Sequence, residues 1–286
     1  MNNFNRFPKF IAEVSSNHNR SLKRCYEFID KASLIGCYSV KFQLFKIDQL
    51  FSKDVLSRSY DHRKRKKWEL PEEFIPKIYK RCKQKKIKFS CTPFYLEAVE
   101  KLKTYVDFFK ISSYEILWND LLIKCAQTKK PIIISSGMAT LKEITSAVNI
   151  LKKNGCKDIT ILHCVSQYPA DIKNCNLKSI SFLKQKTKCN VGWSDHTVNP
   201  LIINSAIEDF GASTIEFHLD IDKKGYEFEQ GHCWTPSQIL PIIDFYRLKK
   251  KIFGTNKKKY SKSEKEERLW RADSSDGLRP IKSIRQ

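Results

Sequence analysis

Two histidines, two lysines and a set of short hydroxyl side chains recur in this sequence where apolar runs stop. His196 closes Asn190-Val-Gly-Trp-Ser-Asp-His196, and His218 falls near the end of Ser213-Thr-Ile-Glu-Phe-His218-Leu219, with a helix-like run at 200–210 between them. If the two β-rich runs are neighbouring parallel strands, their ends lie only ~5 Å apart and both imidazoles point into one site. That arrangement suits a two-histidine metal site with open positions for oxygen ligands. Each histidine taken singly also fits a plainer role, a polar residue closing a strand. Lys41 and Gln43 in Ser39-Val-Lys41-Phe-Gln43-Leu, and Lys110 in Phe108-Phe-Lys110-Ile, sit inside otherwise apolar strands. A buried ammonium or amide is costly unless a ligand meets it, so this conflict between pattern and chemistry marks a site.

The elements that must carry these groups alternate along the chain. Phe10-Ile-Ala-Glu13-Val is a short strand released into the polar turn Ser15-Ser-Asn17-His18-Asn-Arg20, and Ser21 can cap a helix running to about Gly36. After the Lys41 strand comes a basic, weakly periodic insertion at 48–67, a candidate lid or substrate loop or else a surface excursion. Leu70-Pro71-Glu-Glu opens the next helix, with Pro71 suited to its first turn. Lys88 to Phe94, Phe108 to Ser113, Pro131 to Gly137 and Ile159 to Pro169 read as strands with polar exits, and Thr140-Leu-Lys-Glu143 matches a capping box. The last helix runs from Pro236 through Tyr246 into the lysine run at 249–251. About eight strand-helix units in uninterrupted alternation is the order that closes a parallel barrel. The expected fold is therefore α/β, a single (β/α)8 TIM barrel over 1–254 followed by a short basic tail at 255–286. That tail could pack on the barrel or on a neighbouring subunit.

In such a barrel the catalytic groups gather at the carboxyl ends of the strands. Those ends carry Glu13, Asn17, Lys41, Gln43, Thr92, Lys110, Ser113, Glu115, Ser135, Ser166, Tyr168, Ser194, His196 and His218. Ammonium groups supply charge and hydroxyls supply directed donors, a good cradle for a phosphate and a carboxylate together. With a divalent cation on the histidines and carboxylates for proton transfer, the site is equipped to bind an anionic phosphoester beside a carbonyl compound.

The composition narrows the partners. With 53 Lys and Arg against 31 Asp and Glu, the formal net charge is +22, and the run Arg63-Lys-Arg-Lys-Lys67 raises the question of nucleic acid. The lysines, however, are spread over nearly every expected helix and no aromatic-plus-basic module accompanies the run, so no nucleic-acid partner is expected. A solvated basic surface that draws in anionic substrates fits better. The ten cysteines are scattered with no C-x-x-C pair, as small core residues of a reduced protein are. No apolar run reaches membrane-spanning length, and Met1-Asn-Asn-Phe-Asn-Arg-Phe-Pro lacks the apolar core of a signal peptide. A cytoplasmic protein with no membrane partner is expected.

Taken in order, Ile11-Ala-Glu13-Val-Ser-Ser-Asn17-His18-Asn19, Val40-Lys41-Phe42-Gln43, Thr92-Pro93-Phe94, Phe109-Lys110-Ile111-Ser112-Ser113, Ser136-Gly137-Met138-Ala139-Thr140, His163-Cys164 with Tyr168-Pro169, and Gly192-Trp193-Ser194-Asp195-His196-Thr197 form a specific combination. It resembles the signatures of the N-acetylneuraminate (sialic acid) synthase family over roughly 10–247. Family members use a TIM barrel to condense phosphoenolpyruvate with an open-chain N-acylated hexosamine. The resemblance implies a divalent metal, Mn2+ first with Mg2+ or Co2+ as substitutes, held by His196 and His218. It implies that Lys41, Thr92, Lys110, Ser113, Ser135 and Ser194 hold phosphoenolpyruvate, and that the partners are phosphoenolpyruvate and an aldose in a homodimer. Glu13 and Glu115 become the acid/base candidates, with Lys41 an alternative proton donor to the new alkoxide. Each glutamate also fits a strand-end carboxylate paired with a lysine.

Departures from the family pattern fall on the sugar side. Ser166 stands where many members have asparagine, Tyr114 replaces a small residue before Glu115, and Gly225-Tyr-Glu227-Phe-Glu229-Gln-Gly231-His232-Cys233-Trp234 replaces the usual acidic loop after His218. The stretch after 254 is too short for the family's C-terminal antifreeze-like domain, which is therefore expected to be missing. An acceptor other than N-acetylmannosamine is therefore expected, or one recognised by the 225–234 loop and the tail around Trp270 and Arg279. Two other readings stay open: a metal-dependent sugar aldolase or isomerase on the same barrel, and a non-catalytic barrel subunit in polysaccharide assembly.

Overall fold

Side chains along a strand alternate between its two faces, and in this protein both faces of almost every strand are apolar enough to be covered. The computed structural model describes residues 7–255 and 257–285. Eight parallel strands follow one another around a closed sheet: β1 Lys9–Glu13, β2 Ser39–Leu44, β3 Lys88–Pro93, β4 Phe108–Ile111, β5 Ile132–Ser135, β6 Ile159–Cys164, β7 Asn190–Asp195 and β8 Thr214–Leu219. β1 pairs with β8 as well as with β2, which closes the ring, and helices lie between successive strands. The fold is the expected (β/α)8 TIM barrel.

One set of strand residues packs outward against the helices in the large core, among them Phe10, Phe42, Phe89, Phe109, Trp193 and Phe217, all fully buried. The inward set behaves differently along its length. Ile11, Phe108, Ile133 and Leu162, with Tyr38 against them, form a separate apolar cluster. Two residues further along the same four strands come Glu13, Lys110, Ser135 and Cys164, all buried. The lumen is thus plugged by hydrocarbon at one level and polar at the next, which seats the polar groups on a rigid floor near the carboxyl ends.

Local signals explain most boundaries. Ser21 accepts from Arg24 N and starts the helix Leu22–Leu34, and the Thr140–Glu143 capping box starts Leu141–Lys153. The last helix spans Pro236–Ile252. Pro71 does not open an α-helix. It precedes a 3-10 turn, Glu72–Phe74, and the α-helix begins at Ile75 with Pro76 in its first turn. The 225–234 stretch is not a plain loop either: a short helix, Tyr226–Glu229, leads to a two-residue strand, β9 Cys233–Trp234, paired parallel to β8. All ten cysteines are buried free thiols. Among the described residues no helix is long and apolar enough to cross a membrane. The first six residues, which carry most of the N-terminal segment considered for a leader, lie outside the described residues.

The chain divides into two compact units, Met1–Arg247 and Leu248–Gln286, with the division inside the last helix. The second has its own order. Asp273 accepts from the backbone of Lys282 at 2.7 Å and of Ser275 at 2.9 Å, and Arg285 pairs with Asp276. Trp270 is exposed in a 3-10 turn, Glu267–Trp270.

Candidate active site

Inside the barrel two lysines converge on one carboxylate. Lys41 Nζ lies 3.6 Å and Lys110 Nζ 3.4 Å from Glu216 Oε1. Lys41 also ion-pairs with Glu13 and donates to Thr92 Oγ1 at 3.3 Å. All four charged groups are buried. Burial alone would push Lys41 down, but Glu13 and Glu216 outweigh it and hold the ammonium above its ordinary value. For Lys110 burial prevails, aided by Lys41 and opposed by Glu216, and its value falls. Burial would raise Glu216, yet Lys110 and Lys41 keep it below the usual carboxylate range. Glu216 was not among the residues singled out from sequence. It lies two residues before His218 on the same strand face, so the period of two could have found it.

Beside this cage the hydroxyls are short of partners. Ser135 Oγ and Ser166 Oγ are buried without a hydrogen bond. Ser113 Oγ accepts from Gly137 N at 3.0 Å and meets Cys164 Sγ at 3.2 Å. A Cβ on Gly137 would sit 2.2 Å from Ser166 Oγ and 2.9 Å from Ser113 Oγ, so the backbone itself forms this wall. Buried donors without acceptors, next to two ammonium groups, make a pocket that an oxyanion completes. Ser194 is buried between the registers of Cys164 and Glu216 on the same wall.

The histidines stand beside this cage, His218 two residues beyond Glu216 on β8 and in register with Glu13. His196 follows β7, and its ring centroid is 5.4 Å from that of His218 on β8. Two imidazoles sharing one ion through bonds of ~2.1 Å have centroids roughly 4.5–5.5 Å apart, so the pair fits a common cation. Their outer nitrogens are already committed. His196 Nδ1 is 2.7 Å from the Val165 carbonyl and His218 Nδ1 is 2.7 Å from Glu227 Oε2. Both partners can only accept, so Nδ1 carries the proton in each ring, leaving Nε2 for a ligand. Among the described residues neither Nε2 has a hydrogen-bond partner. Burial, with His218 nearby, lowers His196 to about 3, which keeps it neutral. Burial would lower His218 too, but Glu227 overrides it and raises the value. The residues present therefore fit a divalent cation.

The remaining sequence candidates divide. Gln43 Nε2 donates to Glu13 Oε1 at 3.0 Å and to Ser15 Oγ at 3.3 Å, joining the Glu13 side of the cage. Tyr168, 41% exposed at the mouth, lays its ring 4.2 Å from His196 and 6.1 Å from His218. Asn17 is buried and donates to Leu219 O at 3.1 Å, so its amide fastens the end of β8. Glu115 sits in the turn after β4, with Oε2 taken by the Ser112 hydroxyl of that turn. Burial raises its carboxyl, opposed by Ser112 and Lys110. It makes no ion pair among the described residues, whereas Glu13 does pair with a lysine.

Two anchors hold the histidine side in place. Asp195, fully buried, accepts from Trp193 Nε1 and Trp234 Nε1, each at 2.9 Å, from Thr197 Oγ1 at 2.7 Å and from Val198 N at 3.1 Å, tying β7, β9 and the turn after His196. Asp220 accepts from the backbone of Asp222, Lys223 and Gly225. A Cβ on Gly225 would come within 2.2 Å of that Asp220 carboxylate. The basic insertion folds into short helices whose end brings Trp68 against Tyr226, with ring centroids 5.4 Å apart. It thus covers the segment that carries Glu227.

A closed parallel barrel with charged groups buried near the carboxyl ends of its strands belongs to the class of (β/α)8 enzymes. The NeuB family model matches residues 28–258, and the chain belongs to the NeuB family. It is 36% identical over 267 residues to the N,N'-diacetyllegionaminic acid synthase of Campylobacter jejuni, covering 89% of this chain and 80% of that one. It is 34% identical over 255 residues to an uncharacterised protein of Methanocaldococcus jannaschii, covering 88% and 74%. Among solved structures, the N-acetylneuraminic acid (sialic acid) synthetase of Leptospira borgpetersenii superposes with a TM-score of 0.79 at 30% identity, over 92% of this chain and 90% of that one. The protein is a synthase-type enzyme of this family.

Proposed function

We propose that the protein condenses phosphoenolpyruvate with an open-chain aldose, an N-acylated hexosamine or related sugar, giving a 2-keto-3-deoxy sugar acid and phosphate. The observation that carries this reading is the meeting of Lys41 and Lys110 on Glu216, flanked by hydroxyls without acceptors, in the same lumen as the His196–His218 pair. Relatives named for legionaminic acid and sialic acid synthesis support it.

Lys41, Lys110, Thr92, Ser113, Ser135 and Ser194 hold the phosphate and carboxylate of the enol ester. His196 and His218 hold a divalent cation, Mn2+ in our reading, with Mg2+ or Co2+ as substitutes. Bound there, the cation supplies Lewis-acid polarisation of the acceptor's aldehyde oxygen. C3 of the enol ester attacks the aldehyde carbon, forming the new C–C bond, and the resulting alkoxide takes a proton from the Lys41–Glu13 pair. The positive charge left at C2 is met by the carboxylates facing the lumen. Water adds at C2, Glu115 or Glu13 accepts its proton, and the C2–O bond breaks so that the bridging oxygen leaves with phosphate. Tyr168 and the 225–234 segment line the acceptor side, where the chain's own sugar preference resides, while Ser166, against Gly137, and Gln43, bonded to Glu13, border the enol-ester pocket.

The test is phosphate release from phosphoenolpyruvate in the presence of manganese and a panel of N-acylated hexosamines, hexoses and pentoses. We expect release only with an acceptor, and 18O in the bridging position of phosphoenolpyruvate recovered in phosphate. Turnover of sugars without phosphoenolpyruvate would overturn the reading in favour of an aldolase or isomerase. Silence across the panel, with the barrel folded, would favour a non-catalytic subunit.

A further inference from the structure

We propose that His218 Nδ1, Glu227, His232 and Cys233 form a second metal site, selective for a borderline-soft divalent cation such as Zn2+, whose occupancy withdraws His218 from the catalytic pair. The four donor atoms lie within 4.8 Å of one another and all four residues are buried. Glu227 Oε2 is the hub, 2.7 Å from His218 Nδ1, 3.8 Å from His232 Nε2 and 3.8 Å from Cys233 Sγ. Tetrahedral zinc, with bonds of ~2.0–2.3 Å, places its donors roughly 3.2–3.8 Å apart, so the His218–Glu227 hydrogen bond must open and the widest pairs must close by up to about 1 Å around the ion.

Local architecture holds the set in place. His218 and Cys233 are register partners on paired strands β8 and β9, and Glu227 comes from the short helix between them. Asp220 fixes the start of that connection through three backbone amides, and Asn17 reaches both Leu219 O and Cys233 Sγ. The His232 ring is 5% exposed and held among these groups, with Nε2 turned to Glu227 and Nδ1 buried with no hydrogen-bond partner.

The donor chemistry separates this site from the histidine pair. Two imidazoles, a carboxylate and a thiolate suit Zn2+, Co2+ or Cd2+, whereas open positions for oxygen ligands beside two histidines suit Mn2+. Binding forms four metal–ligand bonds, releases the Cys233 thiol proton to solvent and moves the His218 proton from Nδ1 to Nε2. A neutral His218 then has no lone pair facing the catalytic station, so the two occupancies exclude each other. Ion binding at the second site stands without the proposed reaction, while its inhibitory effect rests on that reading.

The experiment starts from full-length protein stripped by chelation and titrated with Co2+. About one equivalent is expected to develop a sulfur-to-cobalt charge-transfer band in the near ultraviolet. Cys233→Ser should lose the band, and His196→Ala, which breaks only the catalytic pair, should keep it. X-ray absorption of the wild-type Zn2+ form should show one sulfur at ~2.3 Å among nitrogen and oxygen neighbours, which needs no variant. In the turnover assay, Zn2+ should inhibit in competition with Mn2+, with the half-inhibiting concentration raised at least tenfold in Cys233→Ser. A band that persists in Cys233→Ser, bound zinc with only nitrogen and oxygen neighbours, or no band at all would overturn the second site. Charge transfer without any phosphoenolpyruvate turnover would leave this site standing and remove only the reaction.

Discussion

Glu216 is the side chain on which both buried lysines depend, since it lies within 3.6 Å of each ammonium. Without a bound anion, Glu216 and Glu13 are the negative charges that make two interior ammonium groups tolerable. Removing one partner from a buried ion cluster costs roughly 3–5 kcal/mol, because the charge left behind is neither solvated nor paired. Glu216→Gln should therefore lower the melting temperature of the free protein. It should also enlarge the stabilisation by saturating inorganic phosphate relative to wild type, because the anion then supplies the negative charge that the two lysines have lost. Thermal melts with and without phosphate read both effects. An equal or smaller phosphate increment in the variant would show that Glu216 does not stand where the anion binds. At this scale much was legible: Lys41, Lys110, His196 and His218 stood out because each opposes or closes an apolar strand. Glu227 and His232 were visible only as parts of a departing loop, since nothing local says that a glutamate nine residues after a histidine returns to bond it.

Elements are joined by single carboxylates at several places, and Glu72 shows how such a joint responds to pH. From its 3-10 turn it pairs with Lys46 at 2.9 Å, accepts from Tyr95 at 2.9 Å and pairs with Lys101 at 2.6 Å, linking three segments around β3. Partial burial would raise its carboxyl, but Lys101 and Lys46 prevail and bring it from the ordinary 4.5 to about 2. A depressed folded value means that the unfolded chain takes up the proton first. The stability this joint adds is thus present above pH 4.5 and is lost as pH falls towards about 2. Glu72→Gln should melt lower than wild type at neutral pH, with the difference closing across that window, and the gap will be modest because the group is partly exposed. A difference that stays constant down to pH 2 would remove the ion pairs as its cause. The alternation of strands and helices was readable because each has its own hydrophobic period. Strand β9 was not, since two residues, Cys233–Trp234, carry no period at all. The helix start at Ile75 was missed because two prolines, Pro71 and Pro76, both fit a first turn and only packing chooses between them.

Over the whole molecule the net charge of +22 surrounds a site built for anions. Screening shortens that field to about 8 Å at physiological ionic strength, so attraction of a substrate carrying both a phosphate and a carboxylate falls with salt. We expect kcat/KM for phosphoenolpyruvate to fall severalfold between low and high sodium chloride, with much less change for the neutral sugar. Equal salt responses for the two substrates would deny the field a role. From the order of its residues alone, this chain is committed to a parallel barrel with cationic and imidazole groups at its strand ends, because period and composition are properties of neighbours along the backbone. Which groups actually meet was settled by closure. β1 joins β8, so Glu13 and His218, more than two hundred positions apart, become register partners, and β9 folds back to set Cys233 beside that same histidine. Contacts of that kind depend on where the sheet curves and closes, and no spacing along the chain encodes them directly.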